Sequence, residues 1–396
     1  MKASQEHIAF LDHIRGVAIL SVFLYHSLDP SFGADHFLFK GLWRSWESAG
    51  SLPFPLFPVT LGWLGVAIFF VVSGFCVHLS HRRSSDQKLS TFFLRRFFRI
   101  YPPYLIALLI FAFLFPPTWL DFRGSFLMSL TQLSSHLLMV HNLDYRLYFG
   151  INGVFWSVAI EVQLYMLYPL LLWLVGKYGW RKMLWMTALI EIAMRILLGL
   201  YGHNYSLVPY IAGIPFLYWY SWTIGAALAE AYLMKEPLPF SRTPIFLWPA
   251  VTLAAYLFEP LYPFTFLFSA LSTACFIAYF LRLPPAVFSQ PKHLGFLFEH
   301  LRFAGVISYS VYLLHQPLIN SIPIMLKTLF PGVVFPDAVI MLICFAGWLP
   351  VCLLAYAFYS FIELPSISLG KWIIQARRPI RAVTLESQGI GVNPPS

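Results

Sequence analysis

The segment Leu11–Ser27, LDHIRGVAILSVFLYHS, has the length and apolar content of a membrane helix, yet it contains Asp12, His13, Arg15 and His26. A charge in the hydrocarbon core costs a few kcal/mol or more, so such residues normally face the interior of a helix bundle. Arg15 and His26 are eleven residues apart, which places them on one helix face about 16 Å apart. Asp12 precedes Arg15 by three residues, close enough for an intrahelical ion pair. The segment therefore predicts a helix with a polar stripe facing a bundle interior.

The composition places the rest of the chain in the membrane as well. Of its 396 residues, 59% are hydrophobic and 11% are charged, and the mean hydropathy is +0.71. A soluble protein has about 25% charged residues, so this composition excludes a series of soluble domains. The net charge of +9 does not indicate nucleic-acid binding, because the basic residues lie between apolar runs, as the positive-inside rule expects.

Apolar runs of helical length predict the membrane spans. Ten runs cover residues 8–28, 61–81, 100–116, 155–176, 180–201, 210–234, 244–259, 261–281, 304–327 and 337–362. Another run, 126–141, is shorter and more polar, and it fits either an eleventh span or a re-entrant or interfacial segment. Ten spans with a cytoplasmic N-terminus place 19 Lys and Arg residues inside and 5 outside, whereas a crossing at 126–141 gives 9 inside and 15 outside. The positive-inside rule favours an all-α bundle of about ten transmembrane helices with both termini in the cytoplasm.

The membrane unit is predicted to occupy residues 1–366, followed by a cytoplasmic tail, 367–396, that is partly disordered. No internal repeat is visible, so an inverted-repeat transporter gains no support. The four cysteines, Cys76, Cys275, Cys344 and Cys352, lie within apolar runs. They lack metal or disulfide spacing, which predicts a packing role. His136 and His141 are not at convincing ligand spacing either, and no metal site is expected.

Glu161 is the next candidate for the polar interior. It lies two turns into the apolar stretch VFWSVAIEVQLYMLYP, shortly after Trp156 and Ser157. A carboxylate there must pair with a cation, be protonated or face a polar cavity. The structural alternative to a role at a functional site is an ion pair with Arg195.

Two further stretches carry residues that could bind a ligand. FFVVSGFCVHLSHRR contains Ser73 and Gly74, a small pair that permits close approach of a ligand or simply of another helix. TFFLRRFFRIYPPY contains a basic cluster, which consists of Arg95, Arg96 and Arg99. Such a cluster suits the phosphates of a nucleotide-containing donor. Its competing roles are topology and binding of anionic lipid.

A late stretch, ISYSVYLLHQP, places Tyr309 and His315 in an apolar run. His315, followed by Gln316 and Pro317, predicts a polar kink with either a functional or a packing role. His26 is the strongest chemical candidate of the chain. Histidine titrates near neutral pH, so it can take a proton from a hydroxyl or accept an acyl group.

Taken together and in order, these motifs resemble the acyltransferase-3 family of integral membrane acyltransferases. The resemblance runs from about residue 8 to 365 through LDHIRGVAILSVFLYHS, VAIFFVVSGF, FFLRRFFRIYPPY, VFWSVAIEVQLYMLYP, ISYSVYLLHQP and FIELP. It implies a bundle of roughly ten helices in the bacterial inner membrane. It also implies transfer of an acyl group, most often acetyl, from cytoplasmic acyl-CoA to a hydroxyl of a cell-envelope or exported carbohydrate. No cofactor is held permanently.

The resemblance also assigns residues. Arg15 and His26 match the family's essential Arg-x10-His pair, and Ser73-Gly74-Phe75 match its Ser-Gly-Phe turn. Arg95, Arg96 and Arg99 match its basic cluster, and Glu161 matches the first acid of its Glu-Glu pair. The second acid is Val162 here, so Glu161 must act alone.

The resulting hypothesis gives each group a place on a path through the bundle. The arginine cluster binds the phosphates of CoA at the cytoplasmic mouth, and the acyl arm enters past Arg15. His26 serves as general base or as a transient acyl carrier, while Glu161 orients His26 or balances Arg15. Groups near Ser73 stabilise the oxyanion. Two alternatives stay open: an acyltransferase for a non-carbohydrate small molecule or lipid, and a transporter or flippase of an envelope precursor.

Overall fold

The computed structural model describes residues 10–33, 39–44, 54–201, 208–283 and 295–376. Within them the regular elements are helices, apart from the two-residue strands β1 (Phe39–Lys40) and β2 (Trp43–Arg44), which pair antiparallel. Residues 367–376 of the predicted tail belong to the last helix, Leu364–Ala376. Residues 377–396 lie outside the described ranges.

Sixteen α-helices occur in the described ranges. In chain order they are α1 (Phe10–His26), α2 (Asp29–Phe32), α3 (Gly65–Arg82), α4 (Leu89–Leu109), α5 (Phe126–Leu137), α6 (Phe155–Tyr201), α7 (Val208–Ala212), α8 (Trp219–Met234), α9 (Leu247–Leu257), α10 (Thr265–Phe280), α11 (Gly295–Val306), α12 (Ser308–Asn320), α13 (Ile322–Leu329), α14 (Asp337–Ala346), α15 (Trp348–Phe358) and α16 (Leu364–Ala376). 3₁₀ segments cover Phe54–Leu64, His141–Leu143, Pro215–Tyr218 and Glu259–Phe264, and π-helical segments cover Ile110–Leu114 and Tyr359–Glu363.

Five helical stretches in the described ranges are long and apolar enough to cross a membrane, which makes this an integral membrane protein. They are Leu56–Arg82, Leu89–Leu114, Phe155–Tyr201, Glu259–Phe280 and Asp337–Ala376. Six of the ten predicted runs lie within these stretches or extend at most two residues beyond them. The other four form helices of at most 17 residues in the described ranges.

The 47-residue helix α6 is two helices joined at Gly179, whose φ of 78° and ψ of 160° are not helical. Glycine adopts positive φ without the steric cost of a Cβ. The break separates the two runs predicted at 155–176 and 180–201, so the position of this turn was visible in the sequence.

The ambiguous run 126–141 forms the short helix α5. Its 12 residues extend about 18 Å, less than the roughly 30 Å hydrocarbon core. The C-terminal end of α5 is bonded to α4. Tyr101 and Tyr104 of α4 donate hydrogen bonds to the carbonyl oxygens of Leu137 and His136, at 3.1 and 2.9 Å. Its length therefore favours the interfacial or re-entrant alternative over an eleventh span.

Glycines let the helices that carry the predicted site residues approach closely. A Cβ on Gly16 of α1 would lie 1.9 Å from the carbonyl oxygen of Leu301 in α11, and one on Gly74 of α3 would lie 2.0 Å from that of Trp222 in α8. Any side chain at these positions would force the helices apart. The close packing of the backbones at Gly16 and Gly74 fixes the positions of the neighbouring residues Arg15 and Ser73. Of the two roles considered for Gly74, it therefore has the role of helix packing.

Helix α4 contains Pro102 and Pro103, whose missing N–H groups break the helical hydrogen-bond pattern. The carbonyl of Phe98, left without its helical donor, accepts a hydrogen bond from Ser366 Oγ at 2.5 Å. The carbonyl of Ile100 accepts one from Tyr309 at 2.9 Å. The helix begins at Leu89, eleven residues before the predicted run at 100, and the arginine cluster lies on the helix itself.

Candidate active site

A cavity lies among helices α1, α3, α4, α6 and α12. Its unfilled space, including the open mouth, is about 700 Å³. Its walls are formed by Arg15, Val66, Phe69, Phe70, Ser73, Cys76, Arg96, Arg99, Ile100, Ser157, Val158, Glu161, Tyr165, Ser308, Tyr309 and Tyr312. Most of the polar residues predicted from widely separated motifs therefore share one cavity.

Three guanidinium groups and one carboxylate, that of Glu161, line this cavity, which makes it electropositive. Arg15 donates to Asp12 Oδ1 at 3.1 Å and to Cys76 Sγ at 3.2 Å. Arg96 lies over the ring of Tyr165, 5.8 Å from its centroid, and its buried Nε has no hydrogen-bond partner. Within the described residues, neither Arg96 nor Arg99 has a carboxylate within ion-pair distance. These two arginines can therefore bind an anion without first giving up a partner.

The third member of the predicted basic cluster lies elsewhere. Arg95 is half-buried on the same helix but does not line the cavity. Position 99 lies three residues after 96 and four after 95, so helix spacing alone places it near both of them, and the packing of the other helices decides which arginines face the cavity. The structure thus divides the predicted cluster into two cavity residues and one outside it.

Glu161 is held by two hydroxyl groups on the cavity wall. Ser73 Oγ and Tyr165 Oη each lie 2.5 Å from its Oε1 and donate to it. Trp222 Nε1 donates to Ser73 Oγ at 3.3 Å. The hydrogen of Ser73 therefore goes to Glu161, so an oxyanion role for Ser73 would require it to leave this bond.

The predicted structural alternative for Glu161 is wrong. Arg195 is buried and pairs instead with Glu191, one turn earlier, at 2.7 Å. Its guanidinium also donates to the carbonyl oxygens of Pro263 and Leu217, at 2.7 and 3.0 Å. The i, i+4 spacing on one helix places these two side chains next to each other.

Two residues predicted next to Glu161 have different positions. Ser157 lines the cavity, with its Oγ 2.5 Å from the hydroxyl of Tyr312. Trp156 does not line it and stacks on Tyr148, with ring centroids 5.5 Å apart. The 100° step between successive helical residues separates them. Trp156 is thus a packing residue in this arrangement.

His26 and His315 form a pair beyond the end of the cavity. His26 Nδ1 lies 3.0 Å from His315 Nε2, and neither residue lines the cavity. Tyr312, which does line it, contacts His315 with ring centroids 5.6 Å apart. Tyr312 thus connects the wall of the cavity to the histidine pair.

Two residues with clear positions near the site were not predicted from the sequence to belong to it. Cys76, assigned to packing, lines the cavity, and its i, i+3 spacing from Ser73 on one helix could have indicated this. Glu363, in the stretch FIELP, is fully buried and accepts a hydrogen bond from Ser310 Oγ at 2.7 Å. It closes the π-helical segment Tyr359–Glu363, and such segments are frequent at functional sites.

The exposure of Cys76 gives a direct test of the cavity. We expect an anionic methanethiosulfonate reagent to label Cys76, because three guanidinium groups attract it, while Cys275, Cys344 and Cys352 are buried and stay unlabelled. Relative to their rates with a free thiol, the anionic reagent should react about tenfold faster than a cationic one, which corresponds to about 1.4 kcal/mol. Mass spectrometry of tryptic peptides measures both rates, and Cys76→Ser is the control. Equal rates for the two reagents would contradict an electropositive cavity.

No group of three or more potential metal ligands occurs within the described residues. His136 and His141 stack on each other with ring centroids 3.8 Å apart. Both lie near the end of α5, and His136 Nε2 contacts the carbonyl oxygen of Gly150 at 3.0 Å. The geometry of this pair is that of ring packing.

Comparisons with known proteins identify relatives among bacterial acyltransferases. Peptidoglycan O-acetyltransferase OatA of Listeria monocytogenes is 24% identical over 362 residues, covering 83% of this chain and 52% of the relative. YrhL of Bacillus subtilis, named as a candidate peptidoglycan O-acetyltransferase, is 28% identical over 399 residues, covering 92% and 55%. Acyltransferase MdmB of Streptomyces mycarofaciens is 29% identical over 197 residues, covering 46% and 44%. The chain spans about half the length of these curated relatives.

No solved structure matches the chain. The profile of the acyltransferase-3 family, described as an acyltransferase domain, matches residues 8–370. This range contains every motif on which the resemblance was based and all the residues that line the cavity. The chain therefore belongs to the acyltransferase-3 family.

Proposed function

We propose that this protein is a membrane O-acyltransferase that moves an acyl group, acetyl above all, from acyl-CoA to a hydroxyl of a cell-envelope carbohydrate. The observation that carries the proposal is the electropositive cavity, in which Arg96 and Arg99 face the interior without a carboxylate partner among the described residues. A donor with several phosphates would bring the negative charge that these two arginines lack as a partner. The carbohydrate acceptor is supported by two relatives named for peptidoglycan O-acetylation.

The proposed orientation places the arginine end of the cavity at the cytoplasm. Ten spans with both termini inside put most loop Lys and Arg residues on the cytoplasmic side. The acyltransferase domain then covers residues 1–366 and the tail is cytoplasmic. In the bacterial inner membrane, this arrangement gives the cavity access to cytoplasmic acyl-CoA and gives His26 access to an acceptor from the opposite side.

The chemistry follows from the positions of the charged groups. Arg96 and Arg99 bind the phosphates of the donor, and the acyl arm of the donor passes Arg15 on its way to His26. His26 takes the proton of the acceptor hydroxyl while the hydroxyl oxygen attacks the thioester carbon. The C–S bond then breaks, and the CoA thiolate recovers the proton. Glu161 holds Ser73 and Tyr165 on the wall of the path.

The decisive experiment measures acyl transfer with purified protein in nanodiscs. We expect time-dependent release of free CoA from acetyl-CoA in the presence of envelope glycan fragments, together with a gain of 42 mass units, the general mass of an added acetyl group, on the glycan. A transporter or flippase that uses the same polar stripe would release no CoA. CoA release with a lipid or small-molecule acceptor but not with glycans would reassign the acceptor class.

A further inference from the structure

We propose that His315 is a positioning residue that holds His26 in the tautomer with its proton on Nδ1 and its lone pair on Nε2. The inference rests on the proposed function, in which His26 is the base that takes the acceptor proton. It assigns the reacting nitrogen of His26 and gives a role to a buried histidine that does not line the cavity.

The first step of the argument concerns the proton of His315. Its Nδ1 lies 2.9 Å from the carbonyl oxygen of Tyr312 and 3.1 Å from that of Val311, the residues three and four positions earlier in α12. A carbonyl oxygen can only accept a hydrogen bond, so Nδ1 must be the donor and carry the proton. In a neutral imidazole the other nitrogen then carries a lone pair, and Nε2 of His315 is an acceptor.

The second step transfers this constraint to His26. Its Nδ1 lies 3.0 Å from Nε2 of His315. Two lone pairs at this distance would repel each other, so the contact is a hydrogen bond only if His26 Nδ1 carries the proton. His26 Nε2 is consequently the basic nitrogen. The tautomer of the catalytic base is thus set by two backbone carbonyls of another helix, through one intervening ring.

Burial supports a neutral His315. The residue is 0% exposed, and a second proton on its Nε2 would place a charge in a desolvated site and point N–H against N–H of His26. When His26 Nε2 takes a proton during the reaction, the bond from Nδ1 to His315 stays intact. The acceptor nitrogen of His315 then stabilises the imidazolium that forms. This is how a base is oriented by a third group in nucleophilic sites.

Two substitutions of similar size separate positioning from packing. In His315→Gln, the side-chain amide reaches the place of Nε2, and its oxygen can accept from His26. In His315→Asn, the shorter amide reaches only the place of Nδ1, so it keeps a donor for the carbonyls of Tyr312 and Val311 but offers His26 no acceptor. The two variants thus retain opposite halves of the hydrogen-bond chain.

We expect His315→Asn to lower kcat about tenfold or more, with the KM for acetyl-CoA changed less than about twofold, because the donor-binding arginines are untouched. His315→Gln should recover most of the lost kcat. A packing role predicts the reverse order, since only Asn keeps the bonds within α12. Equal kcat losses in the two variants, or a kcat of His315→Asn within about twofold of the parent, would overturn the inference.

The tautomer can also be observed without any activity. In [¹⁵N]histidine-labelled protein in nanodiscs, the difference between parent and His26→Ala spectra isolates the two nitrogen signals of His26. We expect a protonated Nδ1 and an unprotonated Nε2 in the parent, and a mixture of tautomers in His315→Asn. A proton on Nε2 in the parent refutes the inference whatever the enzyme does. The expected tautomer in a protein that releases no CoA would instead refute the proposed function alone.

Discussion

Replacing His26 by alanine is expected to lower kcat for acyl transfer by about a hundredfold or more. The reason is that the neutral imidazole of His26 takes the proton of the acceptor hydroxyl, and histidine is the side chain suited to this task near pH 7. Its partner His315 is fully buried, and its lone pair is committed to His26. Arg15, three turns away, stays protonated. CoA release by purified protein in nanodiscs measures the effect, at saturating acetyl-CoA and acceptor.

Two further variants separate a loss of catalysis from a loss of stability. Alanine leaves the buried Nε2 of His315 without its donor, which costs about 1–3 kcal/mol of folding free energy. His26→Asn avoids much of that cost, because its amide can donate to His315 but has no basic nitrogen. It should be as inactive as His26→Ala and closer to the parent in thermal stability. His13→Ala, on the same helix but in contact with Phe298, is the matched control and should keep activity. Near-normal transfer by His26→Asn would remove His26 from the mechanism.

Neutralising the two cavity arginines together, Arg96→Gln with Arg99→Gln, is expected to raise the KM for acetyl-CoA about a hundredfold. Hydrogen bonds to a charged group contribute about 1.5–3 kcal/mol each, and two at the lower limit give about 3 kcal/mol, which corresponds to a factor of about 100. Turnover at saturating donor should change much less, because phosphate binding is remote from the reacting carbon. Initial rates across a range of acetyl-CoA concentrations measure both quantities.

The neighbouring arginine supplies the matched control for this pair. Arg95 lies on the same helix but outside the cavity, so Arg95→Gln should leave the KM within about twofold of the parent. A second control uses S-acetylpantetheine, a donor without phosphates, with which the double variant and the parent should have similar KM values. If Arg95→Gln raises the KM as much as the double variant does, the three arginines affect donor binding only through their general positive charge or through bound anionic lipid. The proposed donor site is then wrong.

The polar interior of the protein was predictable where it depends on spacing within one helix. Asp12 and Arg15 are three residues apart in the sequence, and their side chains form the expected ion pair at 3.1 Å. The helical fold and the membrane class follow from the long apolar runs, and the break at Gly179 lies between two of them. The same spacing does not single out Arg95, which is four residues from Arg99 and still lies outside the cavity.

Contacts between distant helices were not predictable in this way. Glu161 was expected to orient His26, balance Arg15 or pair with Arg195. It does not pair with Arg195, and it accepts hydrogen bonds from Ser73, 88 residues away in the sequence, and from Tyr165 one turn later. The periodicity of a helix states which face a residue occupies, but it does not state which helix packs against that face. In this protein, close backbone contacts at glycines determine which helices pack together. A glycine in the sequence does not indicate which helix it will contact.

The amino-acid sequence by itself therefore determined the class of this protein, its family and the set of polar residues that need a bundle interior, because hydrophobic length and spacing along one helix are local properties. Only the tertiary structure decided which of these residues share a cavity, which arginines face it and which nitrogen of His26 carries the proton. The last of these depends on His315, 289 residues away, and on the carbonyl oxygens beneath it. A hydrogen bond requires atoms within about 3 Å in the right orientation, and folding alone brings them there.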